Sequence, residues 1–104
     1  MISWHASALH AALSTVRELV VERVDVASDL LAHVRESVDA SARVDLVSLT
    51  VARLVRRVER LEQFVVVVRD LRDLDRADRQ RIIDRIAALE SAVDAVIAAN
   101  PGEW

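Results

Sequence analysis

The chain has 104 residues, 53% of them hydrophobic and 30% charged, with one Gly, one Pro, no Cys, no Tyr and a formal net charge of −3. That length suits a single domain with a core of its own. A β-sandwich, a barrel or a doubly wound α/β fold needs glycines at its turns, and the lone Gly102 and Pro101 both lie at the carboxyl end. The fold class expected is therefore all-α. All 14 basic residues are Arg, which removes lysine Schiff-base and P-loop chemistry, and the lack of Cys removes thiol catalysis, thiolate metal sites and disulfides. A pI near 5.5 gives no global basic field for nucleic acid or membrane. Charge interrupts every apolar run before it could span a bilayer. Met1 is followed by Ile-Ser-Trp-His rather than a charged leader and apolar run, so the expected location is the cytoplasm, or a particle assembled there.

Taken in chain order, the first element is set by hydrophobic period. At about 100° per residue, Ile2, Leu9, Leu13, Val16, Val20, Val24, Ala27, Leu31, Val34 and Val38 fall within about 40° of one another. One uninterrupted helix over 3–38, with Ser3 as its N-cap, accounts for that phase; a turn at Asp25 would be expected to lose it. Past Val38 the stripe jumps by roughly 180°. Val51, Leu54, Val58, Leu61, Val65 and Val68 then follow a 3,4,3,4,3 seam of coiled-coil type, predicting a second helix over 43–72. The reversal between the two is expected at Asp39-Ala40-Ser41-Ala42-Arg43, where short Asp and Ser side chains can cap a new helix. The flanking heptads outweigh the four-residue valine run from Val65 to Val68, which in isolation reads as a strand.

The third helix is expected over 76–99. Asp75 stands as its N-cap with Asp78 three residues on, and Ile82, Ile83, Ile86, Leu89, Val93, Val96 and Ile97 follow at helical spacing. Asn100-Pro101-Gly102 ends it, because proline disfavours the α conformation at the preceding residue. Residues 1–100 are thus read as one helical domain and 101–104 as a tail. The resulting architecture is an elongated, coiled-coil-like antiparallel bundle of three helices.

Three helices of about 36, 30 and 24 residues do not match in length, and the third would leave up to ~18 Å of the first helix's apolar stripe uncovered. That mismatch argues for a partner: a homo-oligomer, with a dimer the commonest form, or a helical protein. The function expected is non-enzymatic self-association or partner docking, as an accessory or adaptor subunit of a phage particle or another large assembly. Its interface is expected on Leu9, Leu13, Val16, Val20, Val24, Leu31, Val34 and Val38 of the first stripe and on Val51, Leu54, Val58, Leu61, Val65 and Val68 of the second. No catalytic residue, cofactor or metal site is assigned.

Four polar constellations stand beside this reading. Glu59-x-x-Glu62 precedes Asp75-x-x-Asp78 at a spacing similar to the two acidic pairs with which all-α nucleotide pyrophosphohydrolases hold Mg²⁺, and the resemblance implies that activity as an alternative. Asp75 stands where that family has Glu, and Glu59 lies roughly 60° further round the helix than Glu62, toward solvent. Arg53, Arg56, Arg57 and Arg60 cluster opposite the seam and could bind phosphate or carboxylate bidentately, which gives a second alternative, a small nucleic-acid-associated regulatory dimer. No aromatic residues interleave there for base stacking, so nucleic acid ranks below a protein partner. His5 and His10 are five apart, the wrong interval for a metal pair on one helical face, and His33 stands alone. The six Arg and five Asp between residues 69 and 85 alternate as an exposed ion-pair lattice does.

Overall fold

The computed structural model describes residues 6–44, 48–71 and 75–99, and all of its regular structure is helical. Four helices follow in order: α1 (Ala6–Glu22), α2 (Val24–Val44), α3 (Ser48–Leu71) and α4 (Arg76–Ala99). The stretch from Val65 to Val68 is helical, within α3.

Side-chain pairs fix the directions. His10 meets Asp94 and Arg17 meets Glu90, so α1 and α4 are antiparallel. Arg35 meets Glu62 and Ser28 meets Arg69, which makes α2 and α3 antiparallel as well. Arg85 lies 4.2 Å over the Phe64 ring and Arg57 shares a groove with Ser91, so α3 and α4 are antiparallel too. Each helix touches two neighbours, while α1 and α3, like α2 and α4, sit diagonally with backbones apart. These relations define an up-down-up-down four-helix bundle.

The helix expected over 3–38 is therefore two helices. Laid end to end, α1 and α2 would reach roughly 57 Å at 1.5 Å per residue, whereas the molecule measures 42 × 23 × 18 Å. The chain folds back at Arg23, the single residue between them. The phase survives because helical hydrogen bonding is kept on both sides. The Arg23 N–H donates to the Leu19 carbonyl, and the Ala27 N–H to the Arg23 carbonyl at 3.1 Å. Val20 and Ala27, on either side of the break, consequently both remain fully shielded. Four β-branched residues surround it (Val20, Val21, Val24 and Val26), and their stiff side chains weaken the helical preference there.

At the start of α2 the Arg23 guanidinium donates to the Asp25 carboxylate at 3.2 Å. That hydrogen bond holds the Asp25 carboxyl below its ordinary value, aided by the backbone N–H of Val26. A depressed folded-state value means that the contact contributes above the ordinary aspartate range and is lost as pH falls through the lowered value. Carbon-detected NMR titration of Asp25 is expected to give a midpoint below that of an unpaired aspartate, and Arg23→Ala to return it toward the ordinary range. An unchanged midpoint in the variant would show that the pair does not form.

The second reversal also moves. Residues 39–43 belong to α2, whose alanines at positions 40 and 42 favour the helix over the capping alternatives offered by Asp39 and Ser41. The chain reverses between Val44 and Ser48, where 45–47 fall outside the described residues. Asp75 caps α4 as expected, its Oδ1 accepting the Asp78 N–H at 2.7 Å. The reciprocal half of a capping box is not made, because the shorter Asp78 side chain turns to Arg81 at 3.3 Å. Ser3, the tail and the expected stop at 100–102 lie outside the described residues.

The core runs the length of the bundle and takes one stripe from each helix. Leu13, Val16, Val20, Ala27, Leu31, Val34, Val58, Val65, Ile82 and Ile86 are completely shielded from solvent. With four helices of 17, 21, 24 and 24 residues paired antiparallel, the length mismatch that called for a partner disappears. A Cα radius of gyration of 13.5 Å is close to that of a compact chain of this length, about 13 Å.

Candidate functional site

The fourteen apolar residues expected to meet a partner meet one another. Leu9, Leu13, Val16, Val20, Leu31, Val34 and Val38, with Val51, Leu54, Val58, Leu61, Val65 and Val68, are all buried in the chain's own core, and Val24 packs partly buried against it. Their burial within one chain removes the uncovered stripe from which the partner was argued.

Three of the four acidic residues of the pyrophosphohydrolase-like spacing are engaged with other partners, and Glu59 is partly exposed on α3. Glu62 faces α2, where it pairs with Arg35 at 3.3 Å. Asp75 is occupied in capping α4, and Asp78 pairs with Arg81. Glu62 thus faces α2, whereas Asp75 and Asp78 are engaged at the start of α4. Among the described residues no group of three or more His, Cys, Asp or Glu side chains could hold a metal ion together.

A buried carboxylate absent from the sequence expectations lies between α1 and α4. Glu90 is 7% exposed. It accepts a hydrogen bond from Ser14 Oγ at 3.0 Å and stands 3.2 Å from Arg17 Nη1 and 3.7 Å from His10 Nε2. His10 also reaches Asp94 at 3.4 Å. The signal was present in the sequence, since Glu90 comes four residues after Ile86 and three before Val93, squarely on the α4 apolar stripe. Its partners come from α1, 73 to 80 residues earlier in the chain, and no spacing rule reaches that far. The cluster ties α1 to α4. His33 is exposed on α2, and His5 lies outside the described residues.

The arginine cluster is where the sequence placed it, on the outside of α3. Arg53, Arg56, Arg57 and Arg60 are all exposed and make no ion pair among the described residues. By contrast Arg17, Arg23, Arg35, Arg69 and Arg81 each pair with a carboxylate. The tertiary structure adds Arg85 from α4, which stacks on Phe64 at 4.2 Å. Arg57, Arg60 and Arg85 rim an open groove of about 640 Å³ between α3 and α4, floored by Leu61, Ala88 and Leu89. Cations, an apolar floor and small side chains on the α4 wall make this groove suited to an acidic amphipathic surface.

A second groove, about 560 Å³, lies under the fold-back, between Val20–Asp25 and Val68, Arg69 and Arg79. It mixes Arg23 and Arg79 with Glu22 and Asp25, so its charge is balanced. Among the described residues, no helix is long and apolar enough to cross a membrane.

The fold and its surface define an all-α four-helix bundle with a one-sided arginine face. The sequence matches no family model, and neither a curated protein nor a solved structure matches the chain.

Proposed function

We propose that this protein is a non-enzymatic association module, a small helical bundle that docks on copies of itself or on a helical partner as an accessory or adaptor subunit. The observation that carries this reading is the α3 arginine face. Four exposed guanidinium groups in a chain of net charge −3 pair with no carboxylate among the described residues, while five other arginines do. Exposed apolar residues reinforce it. Leu49, Val67 and Leu71, at 67%, 55% and 68% exposure, also lie on α3. A cytoplasmic setting, or a particle assembled there, fits a chain without cysteine. The same arginines support a second reading, a nucleic-acid-associated regulatory dimer. It ranks below the first because, among the described residues, the one aromatic side chain near them, Phe64, is partly buried beneath Arg85 and offers no free stacking face.

Sedimentation velocity at micromolar concentrations tests the association. The expected result is a mass above the 11.6 kDa of one chain that grows with concentration. A folded species of one-chain mass at every concentration would refute the self-association form.

A further inference from the structure

We propose that the arginine ridge of α3 docks on the acidic outer ridge of α2 from a second copy of the chain. This inference rests on the association reading above and names its surface.

The two ridges are complementary in sign and in spacing. On α3, Arg53 and Arg60 are exposed and unpaired; on α2, Asp29 and Glu36 are exposed and likewise make no ion pair among the described residues. Each pair is seven residues apart, two helical turns or about 10.5 Å, so two helices lying side by side bring both charge pairs into register together. Ala32, between the two acids, is small enough to let another helix approach closely. Within one chain the ridges cannot meet. The seam between α2 and α3 is filled by Arg35 with Glu62 and by Arg69 with Ser28, while Arg57 and Arg60 turn toward α4.

Other self-pairings fare worse. Placing α3 against α3 of a second copy sets arginines against arginines, and like charges across an interface oppose association. Placing α2 against α2 does the same with carboxylates. Only the unlike pairing satisfies both ridges, and it also covers part of the apolar outer side of α3, where Leu49, Val67 and Leu71 are exposed. Because the two surfaces differ, the contact is heterologous. Each added copy leaves one ridge of each sign free, and growth stops only where a ring closes.

Charge exchange tests the pairing. Arg53→Glu/Arg60→Glu carries acids on both ridges, and Asp29→Arg/Glu36→Arg carries arginines on both. All four positions are exposed, and circular dichroism checks that each variant remains helical. Each variant alone is expected to lose association by about tenfold or more, and an equimolar mixture to recover it. Glu18→Arg/Glu22→Arg, which changes the net charge by the same amount but on α1, is expected to self-associate as the parent does and to take up the first variant only as a chain end, through that variant's intact α2 ridge, where growth then stops. The parent's association is expected to weaken as salt rises from 0.05 to 0.5 M. Association that ignores both charge reversals would overturn the ridge pairing while leaving self-association standing, with the copies meeting elsewhere. Failure of the mixture to recover, or equal rescue by the α1 variant, would also overturn it. A parent of one-chain mass under all conditions overturns the pairing and self-association together. If that parent retains an oligonucleotide through Arg53 and Arg60, the face belongs to nucleic acid.

Discussion

Leu13→Ala is expected to lower the unfolding free energy by about 2–5 kcal/mol, the cost of deleting a fully buried leucine side chain and leaving a partly collapsed cavity. Leu13 is completely shielded within the core. In a domain of this size each kcal/mol moves Tm by about 4–8 °C, so a fall of roughly 8–40 °C is expected by calorimetry or thermal circular dichroism. Leu49→Ala, at an exposed site, is expected to stay within about 0.5 kcal/mol of the parent. This contrast separates the two places Leu13 could occupy. A residue in a subunit interface would alter a concentration-dependent midpoint, whereas one in the chain's own core shifts the midpoint equally at every protein concentration. A loss for Leu13→Ala that vanishes on concentrating the protein would return the residue to an interface.

The second large effect concerns the Glu90 cluster. Removing one partner of a buried ion pair costs more than the pair contributes, because the remaining charge is left without compensation. Arg17→Ala strips Glu90 of its strongest cation and leaves it with Ser14 and a half-exposed His10. Since Arg17 itself is 42% exposed, the cost is expected at about 1–3 kcal/mol rather than the 3–5 of a fully buried pair. Glu90→Leu behaves differently. Leucine has a similar volume, extends the apolar stripe of Ile86, Leu89 and Val93, and frees Arg17 to turn into solvent, so stability is expected to be unchanged or raised. Added to Arg17→Ala, the same change is expected to recover most of the loss. Chemical denaturation of the four-member cycle measures this coupling, and strictly additive effects would show that the cluster contributes nothing as a unit.

These two experiments mark what could be read from the residues and what could not. The apolar stripes were legible one by one: Leu9 to Val20, Ala27 to Val38, Val51 to Val68 and Ile82 to Val96 are the buried faces of the four helices. Periodicity says which face of a helix is buried, but not what buries it. The stripe from Leu9 to Val38 reads identically on one long helix and on two that fold back at Arg23, because helical hydrogen bonds continue on both sides of that residue. Taken as one helix, the stripe overhangs its neighbours and demands a partner; folded back, it covers itself.

For the surface, the balance differs. The arginines of α3 are visible in the sequence as a face opposite the seam, and the structure leaves them there. Arg85, Phe64 and the groove between α3 and α4 come from residues 21 to 34 positions apart in the chain, beyond the reach of any helical repeat. The Glu59–Glu62 and Asp75–Asp78 pairs show the converse. Their regular spacing carried a resemblance to a metal site, yet Glu62 faces Arg35 of α2, whereas Asp75 and Asp78 are engaged at the start of α4.

Composition and period alone determined that this protein is helical, where its helices present apolar faces, and that Asp75 begins the last of them, because these are local properties of a few consecutive turns. The tertiary structure decided that there are four helices rather than three, that the apolar stripes satisfy one another within a single chain, and that Glu90 is buried with Arg17, Ser14 and His10. Each of those depends on which faces meet across the bundle, and that is set by a fold-back at one residue that leaves the phase of the sequence undisturbed.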